Sequence, residues 1–374
     1  MLNNHSHYAL IEHYLQQQGE LAWVMATIVN KVGSSYRSPG AMMLVNSLGQ
    51  SQGLVSGGCL EANIVLQAKK VFDTEQARYI EYDMREEEGY AAELGVGCKG
   101  KIGILLQYLT PGHTRLLTRL FQRLQQGQTS YLQHRFVSTE LDSLNTLHLY
   151  ADSGEWLMSS SLDQDSAQHI LPEKFVNSQN KHQTYQLAQS ALSYSKISAP
   201  INLWLFGGGS DALPLVSMAA QLGWQVTVVD HRSSYARASH FKHAKHIVSV
   251  HPDDFCDFAA LEKADAAILM SHNLQLDAAW LSILHQQSKA QYIGLLGPLE
   301  RRHNVEAQSN IRDQAWLSQH VNGPAGLDIG GELPESIALS ILAQCHSVLH
   351  HRTGQSLSGR FINKPNTDSE TFTE

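Results

Sequence analysis

At 374 residues the chain is too long for one ordinary hydrophobic core, so two domains are the first expectation. Hydrophobic residues make up 43% and charged residues 17%, which suits a globular protein and argues against disorder. A formal net charge of −8 with no Lys/Arg block argues against nucleic acid or a membrane as partner.

Residues 8–18 carry Leu10, Ile11, Tyr14 and Leu15 at helical spacing, and Gly19 ends that helix. The preceding residues lack the basic and apolar regions of a secretory signal, and a cytoplasmic location is expected. "LAWVMATIV", "AMMLV" and "QGLVS" read as strands. From Cys59 onward Leu60, Ile64, Val65, Ala68, Val71 and Phe72 recur at helical spacing, and "ARYIEYDM" and "KIGILLQYL" complete a small α/β domain over 1–110. Residues 111–198 hold a helix pattern, short strands and the polar stretch "NSQNKHQTYQ". They read as a variable connector that extends the first domain's sheet. Over 199–352 strands alternate with helices, which predicts a Rossmann-like, doubly wound parallel sheet. A tail follows over 353–374. The fold class is α/β in both halves.

The four cysteines, Cys59, Cys98, Cys256 and Cys345, are too scattered for a disulfide framework. No C-x-x-C or H-E-x-x-H pattern suggests a closed zinc site. Cys59 follows Gly57-Gly58. If a helix begins near Gly58, the thiol lies in its first turn, where the dipole favours thiolate and free N–H groups suit an anion. Cys98, in "LGVGCKGKIG", sits among glycines beside Lys99. Two such thiols offer soft metal ligands or a route for sulfur; the alternative is two small buried apolar side chains. Arg37, in a loop with Gly33, Pro39 and Gly40, can hold phosphate or lie in solvent. Glu61 is either a first-turn helix acid or a polar group of the same site.

In the second half, Gly207-x-Gly209-x-x-Ala212 follows a strand and opens a helix, and Asp230 ends the next strand. That context suits a phosphate at the glycine turn and a ribose hydroxyl on Asp230, although a Rossmann-like fold can bind neither. His272 falls at the carboxyl end of a strand, where such sheets bind ligands. Asp277 follows it, with Asn273 as a candidate helix cap.

"GSSYRSPGAMMLV", "LVSGGCLEANI" and "GVGCKGKIGILLQYL" resemble the N-terminal domain of the XdhC/CoxI family, the xanthine dehydrogenase accessory proteins. "LFGGGSDALPLVSMAAQLGWQVTVVDHRSSYA", "LMSHNLQLD", "YIGLLGPLERR" and "GPAGLDIGGELPESIALSILA" are similar to its Rossmann-like domain. The resemblance implies a chaperone that binds molybdenum cofactor (molybdopterin) as cargo and supports its sulfuration. Delivery would be to xanthine dehydrogenase or a related molybdenum hydroxylase, with a cysteine desulfurase as sulfur source. It places Arg37, Gly57, Gly58, Cys59, Glu61 and Cys98 in the first-domain motifs; on the chemistry of its thiol, Cys59 is expected to face the metal of the cargo. His272, Asp277, Asp328 and Glu332 fall in the second-domain motifs. One departure is "GGGSDAL": many relatives have His in this loop, whereas here Asp211 stands where phosphate would approach, which puts nucleotide or NAD(P) binding in question.

Two other readings remain open on the sequence alone. One is an NAD(P)-dependent oxidoreductase built on Gly207, Gly209, Asp230 and His272. The other is a sulfurtransferase carrying persulfide on Cys59 or Cys98. The chaperone needs no turnover of its own and gives both halves a purpose. A homodimer is left open.

Overall fold

The computed structural model describes residues 5–85, 100–136, 144–161, 171–178, 180–186 and 190–358. The chain divides into two compact units, Met1–Pro200 and Ile201–Glu374. Among the described residues no helix is long and apolar enough to cross a membrane.

The first unit is built on two antiparallel sheets. One has the order β3-β2-β1-β5-β4, from β1 (Trp23–Gly33), β2 (Met42–Asn46), β3 (Ser51–Gly53), β4 (Arg78–Asp83) and β5 (Gly100–Tyr108). The continuous apolar run of β1 follows from burial on both faces, since alternate residues of a strand point to opposite sides. Val24, Ala26 and Ile28 pack with Ile64, Ala68 and Val71 of the helix Glu61–Thr74. Trp23 and Met25 pack the other way, with Leu116, Leu117 and Leu120 of the helix Pro111–Gln125 and with Leu132, Leu147 and Leu149 of the second sheet.

That second sheet corrects the expectation for 111–198. Its order is β8-β7-β6-β10-β9, from β6 (Ser130–Phe136), β7 (Leu147–Ala151), β8 (Trp156–Ser159), β9 (His182–Gln186) and β10 (Ala191–Ile197). Among the described residues no strand of this segment pairs with a strand of the first sheet, although the Thr184 hydroxyl of β9 donates to the Val29 carbonyl of β1 at 3.4 Å. Its outer face buries Tyr131, Tyr150, Phe175 and Tyr194 together. The interior is polar in places: Thr27, Gln107, His134, Ser193 and Ser195 are all buried.

The second unit has one parallel sheet ordered β13-β12-β11-β14-β15-β16. Its strands are β11 (Asn202–Phe206), β12 (Gln225–Val229), β13 (His246–Val248), β14 (Ala266–Leu269), β15 (Tyr292–Leu295) and β16 (Val321–Asn322). This is the doubly wound order in which the chain starts at the centre and winds outward twice. Leu203, Leu205, Val226, Val228, Ala266 and Ile268 pack on one face against the helices Ala212–Gln221 and Pro334–Leu349. Trp204, Phe206, Ala267, Leu269 and Ile293 pack on the other against Leu274–Gln287, Leu299–Ser309 and Gln314–His320. The carboxyl ends of β11 and β14, where the winding reverses, bring the Gly207 loop beside Met270 and Ser271.

Candidate functional site

In the first unit the helix expected near Gly58 begins at Glu61. Cys59 therefore precedes the first turn instead of lying in it. The cause is Gly58, whose φ of +108° is incompatible with a right-handed helix. The Glu61 side chain folds back and pins the turn: Oε1 accepts the N–H groups of Val55 at 3.1 Å and Ser56 at 2.7 Å, and Oε2 accepts the Ser56 hydroxyl. Ser56 Oγ in turn accepts the N–H groups of Gly58 at 3.2 Å and Leu60 at 3.1 Å. Burial acts to raise the Glu61 carboxyl, but the bonds from Ser56 and Val55 outweigh it and hold the group below its ordinary value. Ser56 is thus the organiser of this turn, and sequence reading missed it. The signal was present, a serine four residues before the end of a glycine turn and five before an acid.

Cys59 is a free, half-buried thiol on this pinned backbone. The Tyr36 ring, 64% exposed, lies beside Gly57, where an added Cβ would be 3.9 Å from it. The Arg37 loop and the Gly57 turn therefore meet, with Arg37 itself half-buried. Cys98 lies outside the described residues. Among the described residues no three His, Cys, Asp or Glu side chains are placed to hold a metal ion. A separate cavity of about 240 Å³ opens between Thr110, His113, Asn145 and Ser160 and holds none of the residues singled out from sequence.

In the second unit the glycine loop is tight. Gly207 has φ +125°, and an added Cβ would strike the Met270 carbonyl, so only glycine fits. Asp230, the residue after β12, is buried at 4% exposure. Its Oδ1 accepts the Arg232 N–H at 2.8 Å and Nε–H at 3.0 Å, and its Oδ2 accepts the Gly208 N–H and Arg232 Nη2, both at 2.8 Å. Burial alone would raise this carboxyl; the Arg232 and Gly208 donors outweigh it and lower it. Asp230 is therefore a strut between loop and strand.

His272 does sit at the carboxyl edge, in the left-handed region at φ +59°, and Nε2 lies 2.8 Å from Asp211 Oδ2. Asp211 and Met270 also line a small apolar cavity of about 50 Å³ with Leu215, Leu296 and Ile337. Asn273 caps the next helix as expected, accepting the N–H groups of Gln275 and Leu276. Asp277 is wholly buried and bonded to Ser271 and Arg301, so it braces the His272 turn. Asp328 and Glu332 lie on the loop between β16 and the last helix, both exposed. The structure thus gathers Gly207, Gly209, Asp230 and His272 at one edge, and Gly57, Gly58, Cys59 and Glu61 around one turn of the first unit, with Tyr36, the neighbour of Arg37, beside Gly57.

The XdhC and CoxI family model matches residues 15–83, and the XdhC Rossmann domain model matches residues 203–345. The chain is similar to a Bacillus subtilis (strain 168) protein described as a probable xanthine dehydrogenase component, 29% identical over 341 residues, 90% of this chain and 96% of that protein. It is also similar to the molybdenum cofactor insertion chaperone PaoD of Escherichia coli (strain K12), 22% identical over 336 residues, 89% of this chain and 85% of that protein. A crystal structure described as a xanthine dehydrogenase from Bacillus halodurans superposes with a TM-score of 0.75 at 28% identity, covering 93% of this chain and 97% of that one.

Proposed function

This chain belongs to the XdhC and CoxI family, and from that premise we propose that it is a molybdenum cofactor chaperone. Its cargo is the molybdopterin form of the cofactor. It supports sulfuration of that cargo, with a cysteine desulfurase as sulfur source, and delivers it to xanthine dehydrogenase or a related molybdenum hydroxylase.

The observation that carries this reading is the Val55–Leu60 turn. It holds a half-buried thiol on backbone pinned by Ser56 and Glu61, in a chain similar along 89% of its length to a molybdenum cofactor insertion chaperone. A thiolate is a soft donor suited to a dithiolene-bound metal, and the Arg37 guanidinium, on the neighbouring loop, suits the cargo's phosphate.

The test is protein made anaerobically in a molybdate-replete host, assayed for molybdenum and for the fluorescence of oxidised pterin released by acid and iodine. Near-stoichiometric pterin that is lost in Cys59→Ala supports the reading. Pterin retained in full by Cys59→Ala would remove Cys59 from the metal, and no pterin in the unaltered protein would remove the cargo itself.

A further inference from the structure

The second unit has the strand order and glycine loop of a dinucleotide-binding fold, but its own side chains stand at both anchor points of such a ligand. In that fold the second glycine of the loop leaves room for the backbone to approach the diphosphate. Here the room is filled. A Cβ added to Gly209 would run into Oδ1 of Asp211, so the carboxylate lies over that glycine. Its other oxygen is fixed at 2.8 Å from His272 Nε2. A diphosphate arriving there meets a carboxylate as well as N–H groups, and like charges at contact distance repel.

The second anchor is the acid that follows β12, which in this fold accepts the ribose hydroxyls. A carboxylate has about four lone-pair positions. Those of Asp230 receive one N–H from Gly208 and three from Arg232, all within 3.0 Å. No position is left for a ribose. Arg232 is held in turn by Tyr235, whose ring centroid lies 3.7 Å from the guanidinium carbon.

We propose that the second unit is a Rossmann fold closed to dinucleotides by its own side chains, with Asp211 in the diphosphate position and Arg232 in the ribose position. The closure is chemical and local: two residues decide it, on a backbone that keeps the glycines. It concerns the second unit alone, so it stands or falls separately from the pterin content of the protein.

Full-length protein is titrated calorimetrically with NADH and with NADPH. The unaltered protein should show no saturable binding up to ~1 mM, and Asp211→Gly/Arg232→Ala should bind NADH at least about tenfold more tightly than that limit. A thermal melt checks each variant. If the double variant does not fold, Asp211→Ala/Arg232→Ser, which also empties both positions, is read by the same criterion. The proposal is overturned if the unaltered protein binds either dinucleotide as tightly as the variant does. It is also overturned if a folded variant binds neither, because the closure would then lie elsewhere than in these two side chains.

Discussion

The Asp277 carboxylate, with no exposed surface, lies 2.7 Å from the Arg301 guanidinium while its other oxygen accepts the N–H and hydroxyl of Ser271. The pair ties the helix Leu274–Gln287 to the helix Leu299–Ser309 and steadies the turn that carries His272. Asp277→Ala would leave Arg301 without its partner and the Ser271 N–H without an acceptor. Losing one member of a buried ion pair costs about 3–5 kcal/mol. Urea unfolding of the second unit should show a loss of that size, with Asp277→Asn losing less. A loss under ~1 kcal/mol would mean that the Asn273 cap and strand packing hold the turn without it.

Glu61 predicts a second outcome, read at Cys59. Glu61→Ala removes the acceptor for two backbone N–H groups and the Ser56 hydroxyl, which costs about 1–3 kcal/mol and frees the turn. Cys59 should then react faster with iodoacetamide. Because the folded carboxyl is held below its ordinary value, its contribution is present above pH ~4.5 and lost as pH falls through the lowered value. Unchanged alkylation in Glu61→Ala would separate the thiol from the network.

Acid should weaken the first unit through its interior histidines. Burial pushes His134 down to about 3 and His113 and His182 down to about 4; His113, His182 and His148 around His134 depress it further. Neither ring nitrogen of His134 has a hydrogen-bond partner among the described residues. Since these folded values lie below the ~6.5 of an unfolded chain, the unfolded state takes up protons first as pH drops. Stability is whole above about pH 6.5 and declines toward pH 4 by up to ~1.4 kcal/mol per pH unit for each histidine. Hydrogen exchange of the β6 peptide in urea at pH 7 and 5.5 measures this slope, and His134→Leu should reduce it. Equal slopes would place the acid sensitivity elsewhere.

Two glycines with positive φ should differ in what a methyl group costs. Gly58 has open space around an added Cβ, so Gly58→Ala meets only backbone strain, about 1–3 kcal/mol. Gly207→Ala meets the same kind of strain and the Met270 carbonyl, so its loss should be larger, enough to displace the loop. Thermal melts of the two variants side by side check the order. Equal losses would mean that the Met270 backbone yields.

Much of the second unit was legible because parallel strands buried on both faces leave apolar runs, and glycine turns and helix periods separate them. The second sheet of the first unit was not, since its strands mix Ser, His and Gln into buried positions such as Ser193, His134 and Gln133, which blurs any alternation. At the sites, residue types pointed to the right loops. What they could not give was partnership. Asp230 reads as an acceptor until Arg232 is seen to fill it, although the two stand only two positions apart. The start of the helix at Glu61 was likewise hidden, because helical spacing from Cys59 says nothing of the φ that Gly58 adopts.

The place of β11 at the centre of its sheet bears on how the protein is made. It is the first strand of the second unit to be synthesised, yet it pairs with both β12 and β14. Its edge from Leu203 to Phe206 must wait until Ala266–Leu269 has left the ribosome. An apolar edge without a neighbour is open to another chain. The nascent second unit therefore passes through a window in which aggregation competes with folding, and that window closes only when β14 arrives.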